Sequence, residues 1–284
     1  MHRDALEERV AAIAASVGSR ADDPDTPLEL SALGRTEFAL ALEEAFGVRL
    51  DDTRRLGTVT DAVAAVTAQR EVRPTSALHP STGNLQGIAR AIAGAFVRRY
   101  FHLRVRGAQR VPSSGSLVLA ANHESMWDIP LLAVASPRRI VFMAEEGVFG
   151  SPLASWFFTR LGSFPVRRGV GDLRAIRAAL AVVRSGRALG IYPEGTRRQG
   201  LPLPFRQGAA WIALASGAPV VPAGIVGTGR IVPPKGVVPR RMPVEISFGE
   251  PIAVVREPDA RTRLDQAPDL TDRLRSEVER LIRQ

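Results

Sequence analysis

The sequence predicts an α/β domain preceded by a small all-helical bundle. From Leu117 onward, short apolar runs of strand length alternate with segments of helix length, a pattern typical of a sheet flanked by helices. Residues 1–70 show helical patterns only, and residues 71–84 contain prolines and small polar residues without periodicity. We therefore predict a helical domain at 1–70, a linker at 71–84 and an α/β domain at 85–284.

In the first 70 residues the apolar spacing predicts three helices. The first ends near Ser16, the second runs from about Leu33 to Phe46, and the third begins near Thr58. Gly47 follows the second helix directly, and glycine is a common stop signal because it adopts the left-handed conformation without steric cost. The pattern therefore favours a bundle of short helices.

The α/β domain is predicted from strand-like runs separated by helix-length segments. The runs are LVLAAN, RIVFMA, GSFPVRR, LGIYPEG, PVVPAGIVG and VEISFG, and the helices fall near 129–135, 152–160, 172–185, 207–216 and about Leu270 to Arg283. The uncharged stretch from Gln207 to Gly229 is long enough to cross a membrane. Its glycines and prolines favour a helix followed by a buried strand instead.

The segment before the first strand predicts an amphipathic helix. Its apolar residues recur at spacings of three and four, at Leu85, Ile88, Ile92, Phe96, Tyr100 and Leu103, and its arginines lie mostly off that stripe. Such a helix either packs against its own domain or lies in a membrane interface with its arginines near lipid phosphates. The sequence leaves both possibilities open.

The composition limits the chemistry. The chain of 284 residues has no cysteine, which excludes disulfides, thiolate metal sites and a cysteine nucleophile. It has four histidines and no clustered set of histidine and acidic ligands, so we expect neither a metal nor a bound cofactor. The start, MHRDALEERV, is charged and lacks an apolar core, so we expect a cytoplasmic protein.

Charge is distributed unevenly along the chain. Residues 1–70 carry 8 basic against 13 acidic residues, whereas residues 71–284 carry 30 against 16. A basic body suits an anionic lipid surface or a phosphorylated substrate. The charge would also suit nucleic acid, but no recognition motif or aromatic platform accompanies it, so we expect no nucleic-acid partner.

One candidate catalytic pair follows the predicted strand LVLAA. In the segment NHESMWD, His123 lies where a strand ends, the edge at which α/β sheets present ligands. A histidine there can take a proton from an alcohol, while a carboxylate on its other ring nitrogen fixes the tautomer and stabilises the imidazolium. Asp128 can serve only if the intervening residues form a loop or a helix start, because a spacing of five separates two side chains on a regular helix.

Two further segments suit an anionic group. The run IYPEGTR, residues 191–197, passes from a predicted strand into a glycine turn that can aim backbone N–H groups, a threonine hydroxyl and an arginine at one phosphate. The run GSFPVRR, residues 162–168, ends in two arginines. Taken singly, each is as consistent with a solvated loop as with a binding site.

In order along the chain, NHESMWD, GSFPVRR, YPEGTR and APVVP resemble the four motifs of the 1-acylglycerol-3-phosphate (lysophosphatidic acid) acyltransferase family, within the glycerolipid acyltransferase superfamily. The resemblance covers roughly residues 95–284 and implies an O-acyltransferase of phospholipid biosynthesis, with an acyltransferase-type sheet flanked by helices. It makes His123 the general base and Asp128 its partner. It assigns the acceptor's phosphate and glycerol to a set of binding residues, namely Arg168, Glu194, Gly195, Thr196 and Arg197.

Three positions depart from the family pattern. Arg167 replaces an aspartate that often ends the second motif, Glu145 stands where a lysine is common, and Arg206 replaces a usual lysine with the charge retained. An acid near an anionic acceptor should repel it. These departures bear on which acceptor the protein uses more than on which reaction it catalyses.

Residues 1–70 resemble an acyl carrier protein. The segments LSALGRTEFALALEEAFGV and TVTDAVAAV match the second helix of carrier proteins and the region after that helix. In that family a serine within Asp-Ser-Leu carries phosphopantetheine, and here Ala32 stands at that position, after Ser31. The resemblance implies a carrier fold without its prosthetic group, unless Ser31 serves in a shifted register. A plain acidic helical domain is the alternative.

The matched helix carries acidic residues on the element that carrier proteins commonly present to partners. These are Glu37, Glu43 and Glu44. We therefore predict that residues 1–70 are a docking or regulatory module, with the arginine-rich body of the same chain as the obvious partner.

Together these features predict direct acyl transfer. His123 would deprotonate the acceptor hydroxyl as it attacks the thioester of acyl-CoA or acyl carrier protein, without an acyl-enzyme. The expected acceptor is 1-acylglycerol-3-phosphate or a related lyso-lipid, and the expected location is peripheral, on the inner face of the membrane. Two alternatives remain: acylation of another lipid-linked alcohol, and a non-catalytic protein that binds lipid or partners.

Overall fold

A computed structural model describes most of the chain. The described residues are 3–21, 23–68, 94–150, 152, 155, 163–166, 172–197, 203–231 and 239–284. The predicted linker at 71–84, most of the predicted helix at 152–160, and both Arg167 and Arg168 lie outside them. The division of the chain at 71–84 therefore stays a prediction.

The N-terminal part consists of three helices around one apolar core. They are α1 (Arg3–Ser16), α2 (Ala32–Phe46) and α3 (Val59–Ala68), and their core includes Phe38, Leu42 and Leu56. The Ser31 side chain caps α2 by accepting a hydrogen bond from the Gly34 amide, and Gly47 ends the helix at a φ of 66°. The three predicted helices are confirmed.

The described residues of the α/β part form a seven-stranded sheet. Its strands are β1 (Arg104–Arg106), β2 (Leu117–Ala121), β3 (Ile140–Glu145), β4 (Phe164–Val166), β5 (Ala188–Ile191), β6 (Val220–Val226) and β7 (Glu245–Phe248). The spatial order is β1-β7-β6-β2-β5-β3-β4, and neighbours are parallel except β6 and β7. The predicted fold class, an α/β sheet with helices before it, is confirmed.

Helices cover both faces of this sheet. They are α4, of which residues 94–100 are described, then α5 (Asp128–Ala135), α6 (Leu173–Arg184), α7 (Gly208–Ser216) and α8 (Ala260–Ile282). The central strand β2 is buried throughout, and alternate residues enter opposite cores: Leu119 packs with α5, whereas Val118 packs with α6, α7 and α8. The sheet thus presents its carboxyl-end edge between two helical layers.

Two elements differ from the sequence prediction. The last helix begins at Ala260 rather than near Leu270, and it includes Pro268. Its first turn is charged and polar and shows little apolar periodicity; Asp259 caps it by accepting the Thr262 amide at 2.7 Å. The strand β1 was not predicted, because three residues with charged ends carry no apolar alternation.

The uncharged stretch from Gln207 to Gly229 forms α7 followed by β6, as predicted. Within the described parts of the chain, no helix combines the length and the apolar character needed to cross a membrane. The apolar residues predicted to line one side of α4 have different surroundings. Phe96 is 66% exposed. The Tyr100 ring packs against the domain, and its hydroxyl donates to the Pro239 carbonyl. This helix therefore both packs on its own domain and exposes an aromatic ring.

Candidate active site

The loop after β2 is fixed to the neighbouring strand by Asn122. Its side-chain amide donates to the Ile225 carbonyl at 2.8 Å, and its carbonyl oxygen accepts from the Ile225 amide at 2.7 Å. Asn122 is buried, so both bonds form away from bulk water. The chain consequently leaves the sheet at a defined point, directly before His123.

His123 and Asp128 form the pair that the sequence predicted. His123 Nδ1 lies 2.7 Å from Asp128 Oδ2. Residues 122–127 are not helical and Asp128 is the first residue of α5, which meets the requirement for a loop or a helix start. Because the carboxylate holds Nδ1, the other ring nitrogen, Nε2, is the one able to accept a proton from a substrate.

The Asp128 carboxylate is fully buried and strongly hydrogen-bonded. Its Oδ2 also accepts from the amides of Glu124 and Ser125, at 2.7 and 2.8 Å. The positive end of the α5 dipole adds to these donors. A negative charge is thus held next to the imidazole, where it stabilises an imidazolium.

Tyr192 supports the imidazole from one side. Its ring stacks on that of His123, with centroids 4.2 Å apart and planes 17° from parallel. Burial raises the pKa of Tyr192 well above its ordinary value, and the charge of Asp128 acts in the same direction. Tyr192 therefore stays a neutral phenol and a flat support for the His123 ring.

Glu194 ties the loop after β5 to the loop after β2. Its Oε1 accepts from the His123 amide at 2.7 Å, and its Oε2 accepts from the Leu203 amide at 3.1 Å. The side chain is almost completely buried, and burial raises the pKa of its carboxyl group, while the two amide bonds act in the opposite direction. Both oxygens are thus engaged by this chain's own backbone; contact of Glu194 with a substrate stays a prediction.

The remaining predicted binding residues form a turn beside the histidine. Gly195 has a φ of 66°, and a Cβ on it would come within 3.0 Å of Arg206 Nε, so glycine allows the Arg206 side chain to lie across the turn. Thr196 is partly exposed and Arg197 is exposed. This turn therefore carries positive charge and lies beside the loop that contains His123.

The structure thus gathers His123, Asp128, Glu194, Gly195, Thr196 and Arg197 at the carboxyl ends of β2 and β5, while Arg168 lies outside the described residues. Sequence reasoning did not assign roles to Asn122, Tyr192 or Arg206. Asn122 and Tyr192 lie within two of the motifs, at the ends of predicted strands. The residues that they contact, Ile225 and His123, belong to or follow neighbouring strands of the sheet.

Comparison with known proteins shows which family the region around this site is similar to. Residues 102–226, which contain β1 to β6, the His123–Asp128 pair and Glu194, match the family model described as Acyltransferase. This part of the chain is therefore similar to an acyltransferase domain. The resemblance that the four motifs carried is confirmed.

Individual relatives are similar to part of this chain. The chloroplastic 1-acyl-sn-glycerol-3-phosphate acyltransferase BAT2 of Brassica napus is 31% identical over 51% of this chain and 43% of its own length. The lyso-ornithine lipid O-acyltransferase of Pseudomonas aeruginosa is 39% identical over 44% of this chain and 47% of its own. This chain thus spans less than half the length of either curated relative.

A solved structure is similar over a longer span. The 1-acyl-sn-glycerophosphate acyltransferase of Thermotoga maritima matches with a TM-score of 0.55 and 24% sequence identity, over 70% of this chain and 81% of that one. This similarity supports the same fold for the α/β part of the chain.

Proposed function

We propose that this protein transfers a fatty acyl group from a thioester to the free hydroxyl of 1-acylglycerol-3-phosphate or a related lyso-lipid, in phospholipid biosynthesis. The observation that carries the proposal is the His123–Asp128 pair, 2.7 Å apart at the carboxyl end of β2 in an acyltransferase domain. The names of several relatives, including the Brassica napus enzyme, support the same reaction.

In the proposed reaction, His123 Nε2 takes the proton of the acceptor hydroxyl as its oxygen attacks the thioester carbonyl. A new ester C–O bond forms, the thioester C–S bond breaks, and the imidazolium returns the proton to the leaving thiolate. Buried Asp128 stabilises the imidazolium between these two steps. The donor is acyl-CoA or acyl carrier protein, and the scheme uses no metal or cofactor.

The acceptor's phosphate would be held by Arg168 and Arg197, with Gly195 and Thr196 offering a backbone amide and a hydroxyl. Arginine suits this role because its guanidinium binds phosphate through paired, charge-assisted hydrogen bonds. The exposed position of Arg197, in the loop that also contains Glu194, supports the assignment.

A second candidate is a lyso-lipid acceptor with a different headgroup. The relative with 39% identity is named a lyso-ornithine lipid O-acyltransferase. An ornithine headgroup carries an ammonium group, which an acid attracts and a phosphate-binding lysine would repel. Glu145 ends β3, on the same edge of the sheet as His123, where a lysine is common in the family that the motifs resemble.

The proposed location is peripheral, on the inner face of the membrane. Exposed apolar side chains support it: Phe96 on α4, Met126 in the loop after His123, and Val226 at the end of β6. Arg98 and Arg99 are exposed on α4 and suit anionic headgroups.

The proposal is tested by incubating the full-length protein with acyl-CoA or acyl carrier protein and a panel of acceptors, with products identified by mass spectrometry. The panel contains 1-acylglycerol-3-phosphate, lyso-ornithine lipid and a zwitterionic lysophospholipid. Phosphatidic acid as the main product supports the first candidate, and acylated lyso-ornithine lipid supports the second. Binding of lipid without any new ester would show a non-catalytic protein.

A further inference from the structure

The acidic face of α2 lies against the body, that is, the α/β part of the chain. Glu37 is 3% exposed and Glu43 is 8% exposed, although both belong to the helix that carrier proteins present to partners. Glu44, on the same helix, is exposed. Burial of two carboxylates therefore follows from docking rather than from the character of the helix.

Glu37 is held by two residues of the body. The Trp211 indole donates to Oε1 at 2.7 Å, and Arg263 donates to both oxygens, from Nε at 2.7 Å and from its terminal nitrogen at 2.8 Å. The other arm of Arg263 donates to the carbonyls of Glu257 and Pro258. The guanidinium thus joins α2 to the start of α8 through a paired, charge-assisted contact.

A second buried contact lies at the other end of α2. Glu43 Oε1 accepts from Arg177 of α6 at 2.9 Å and from the Leu50 amide at 2.6 Å. Farther out, Arg174 pairs with Asp51 at 2.9 Å, but both side chains are more than half exposed. An exposed pair of this kind contributes little, whereas loss of one partner from a buried pair leaves an uncompensated charge. Glu37 and Glu43 therefore dominate the polar part of the interface.

Apolar and backbone contacts reinforce these ion pairs. Leu173, the first residue of α6, is completely buried in the core of the N-terminal helices, and Leu33 and Leu40 of α2 pack against the core of the body. Asp52 and Asp172 form an antiparallel backbone bridge. The two parts thus share side chains of both cores.

The docked helix touches the element that supports the catalytic loop. Trp211 lies at the start of α7, directly after a segment whose amides bond the turn beside the histidine: Leu203 donates to Glu194, and Arg206 donates to the Pro193 carbonyl at 2.8 Å. Glu194 in turn accepts from the His123 amide. A short series of contacts therefore joins Glu37 to the catalytic base.

We propose that the three N-terminal helices are a fixed part of the enzyme, with the face of α2 that carries Glu37 and Glu43 permanently engaged by α6, α7 and α8 of the same chain. In this arrangement α2 does not exchange partners, and Glu37 is a positioning residue that holds the start of α7 and the segment 203–207. Only the activity readout of this proposal rests on the proposed function.

Hydrogen exchange of the full-length protein, followed by mass spectrometry, tests the proposal without a variant. We expect the amides of α2 and α7 to be protected together, since docked elements open as one unit. Exchange of α2 that is on the order of a hundredfold faster than that of α7 would show a loosely attached domain and overturn the proposal.

Glu37→Gln supplies the second test, because a glutamine side chain has only one acceptor oxygen and cannot accept from both Nε and Nη2 of Arg263. We expect exchange to rise on the order of tenfold in α2 and also in residues 203–212, since a lost charge-assisted bond has about this weight. Glu44→Gln makes the same chemical change on the exposed side of α2 and should leave both segments unchanged. A rise confined to α2 would contradict the positioning role. Should Glu37→Gln fail to fold, Glu43→Gln replaces it.

The kinetic readout separates positioning from substrate contact. Glu37→Gln should lower kcat by roughly tenfold, with the KM for both substrates within about twofold. Glu44→Gln should match the unmodified protein. If the unmodified protein transfers no acyl group, the proposed function fails, while the exchange measurements still decide whether the helices are fixed.

Discussion

Asp128 holds a negative charge at a place that water does not reach, and its immediate surroundings explain how. One oxygen receives three donors, from His123 and from the amides of Glu124 and Ser125. These three hydrogen bonds fix the position of the carboxylate beside the imidazole, so the proposed stabilisation of an imidazolium needs no rearrangement when substrate arrives. The geometry of the pair thus depends on backbone donors as much as on the two side chains.

Replacement of His123 by alanine removes the proposed base. We expect acyl transfer to fall by about 100- to 10,000-fold, the usual contribution of a general base, with little change in the melting temperature. His79→Ala, in the predicted linker, is the matched control and should retain full activity. If His123→Ala kept more than about a tenth of the activity, another group must deprotonate the acceptor.

Glu194→Gln distinguishes two roles for the buried acid. An amide can accept from the His123 backbone or from Leu203 but not from both, so we expect the histidine to be misplaced. This should lower kcat by roughly 10- to 100-fold with the acceptor KM nearly unchanged, as a lost charge-assisted bond implies. Steady-state kinetics with both substrates varied provides the measurement. A large rise in acceptor KM at constant kcat would instead assign Glu194 to the substrate, as the family resemblance implies.

At the scale of elements, the turn after β5 brings positive charge to the site. Arg197→Ala should raise the acceptor KM by roughly 10- to 100-fold and the donor KM far less, because the lost bonds would go to the acceptor phosphate. The same outcome is expected for Arg168→Ala. Arg184→Ala, at the exposed end of α6 near the opposite edge of the sheet, is the control. Equal effects on both substrates would argue against a phosphate contact.

The elements that the sequence predicted well are those whose signals are local. The strand β2 is an apolar run, and α2 is bounded by a capping serine and a stop glycine, so neither needs knowledge of its neighbours. The strand β1 exists only because it pairs with β7, and no apolar alternation marks it. Its existence depends on tertiary pairing, which a single segment cannot show.

The candidate site shows the same difference between features with a local sequence signal and features that arise from tertiary contacts. The spacing of His123 and Asp128 after a predicted strand is by itself a weak signal, and the pair was predicted because NHESMWD is the first of four ordered motifs that resemble one family. The contact of Glu194 with the His123 amide spans 71 residues and arises because β5 lies beside β2 in the sheet. The stacking of Tyr192 has the same origin. The order of the motifs along the chain predicted His123 and Asp128 as the candidate pair. The order of the strands in the sheet determines which other residues contact that pair.

In the folded molecule, the acidic N-terminal part of the chain contacts the basic α/β part. The acidic segment 1–70 places Glu37 and Glu43 on arginines of the basic body, Arg263 and Arg177. Part of the excess positive charge is therefore neutralised within the chain. Other arginines, such as Arg99 and Arg197, stay exposed at the surface, where the proposed function assigns them to lipid headgroups and substrate.

The last prediction is that residues 1–70 never carry an acyl chain. Ala32, which the resemblance to carrier proteins places at the position of the modified serine, has no hydroxyl, and the Ser31 hydroxyl caps α2 by accepting the Gly34 amide at 3.0 Å. Incubation with CoA and a broad phosphopantetheinyl transferase should therefore leave the intact mass of the protein unchanged, while a separate acyl carrier protein in the same reaction gains the group. A mass gain that maps to Ser31 would overturn the prediction. The N-terminal helices would then be a tethered acyl donor, and their docking against α6, α7 and α8 would have to open during every catalytic cycle.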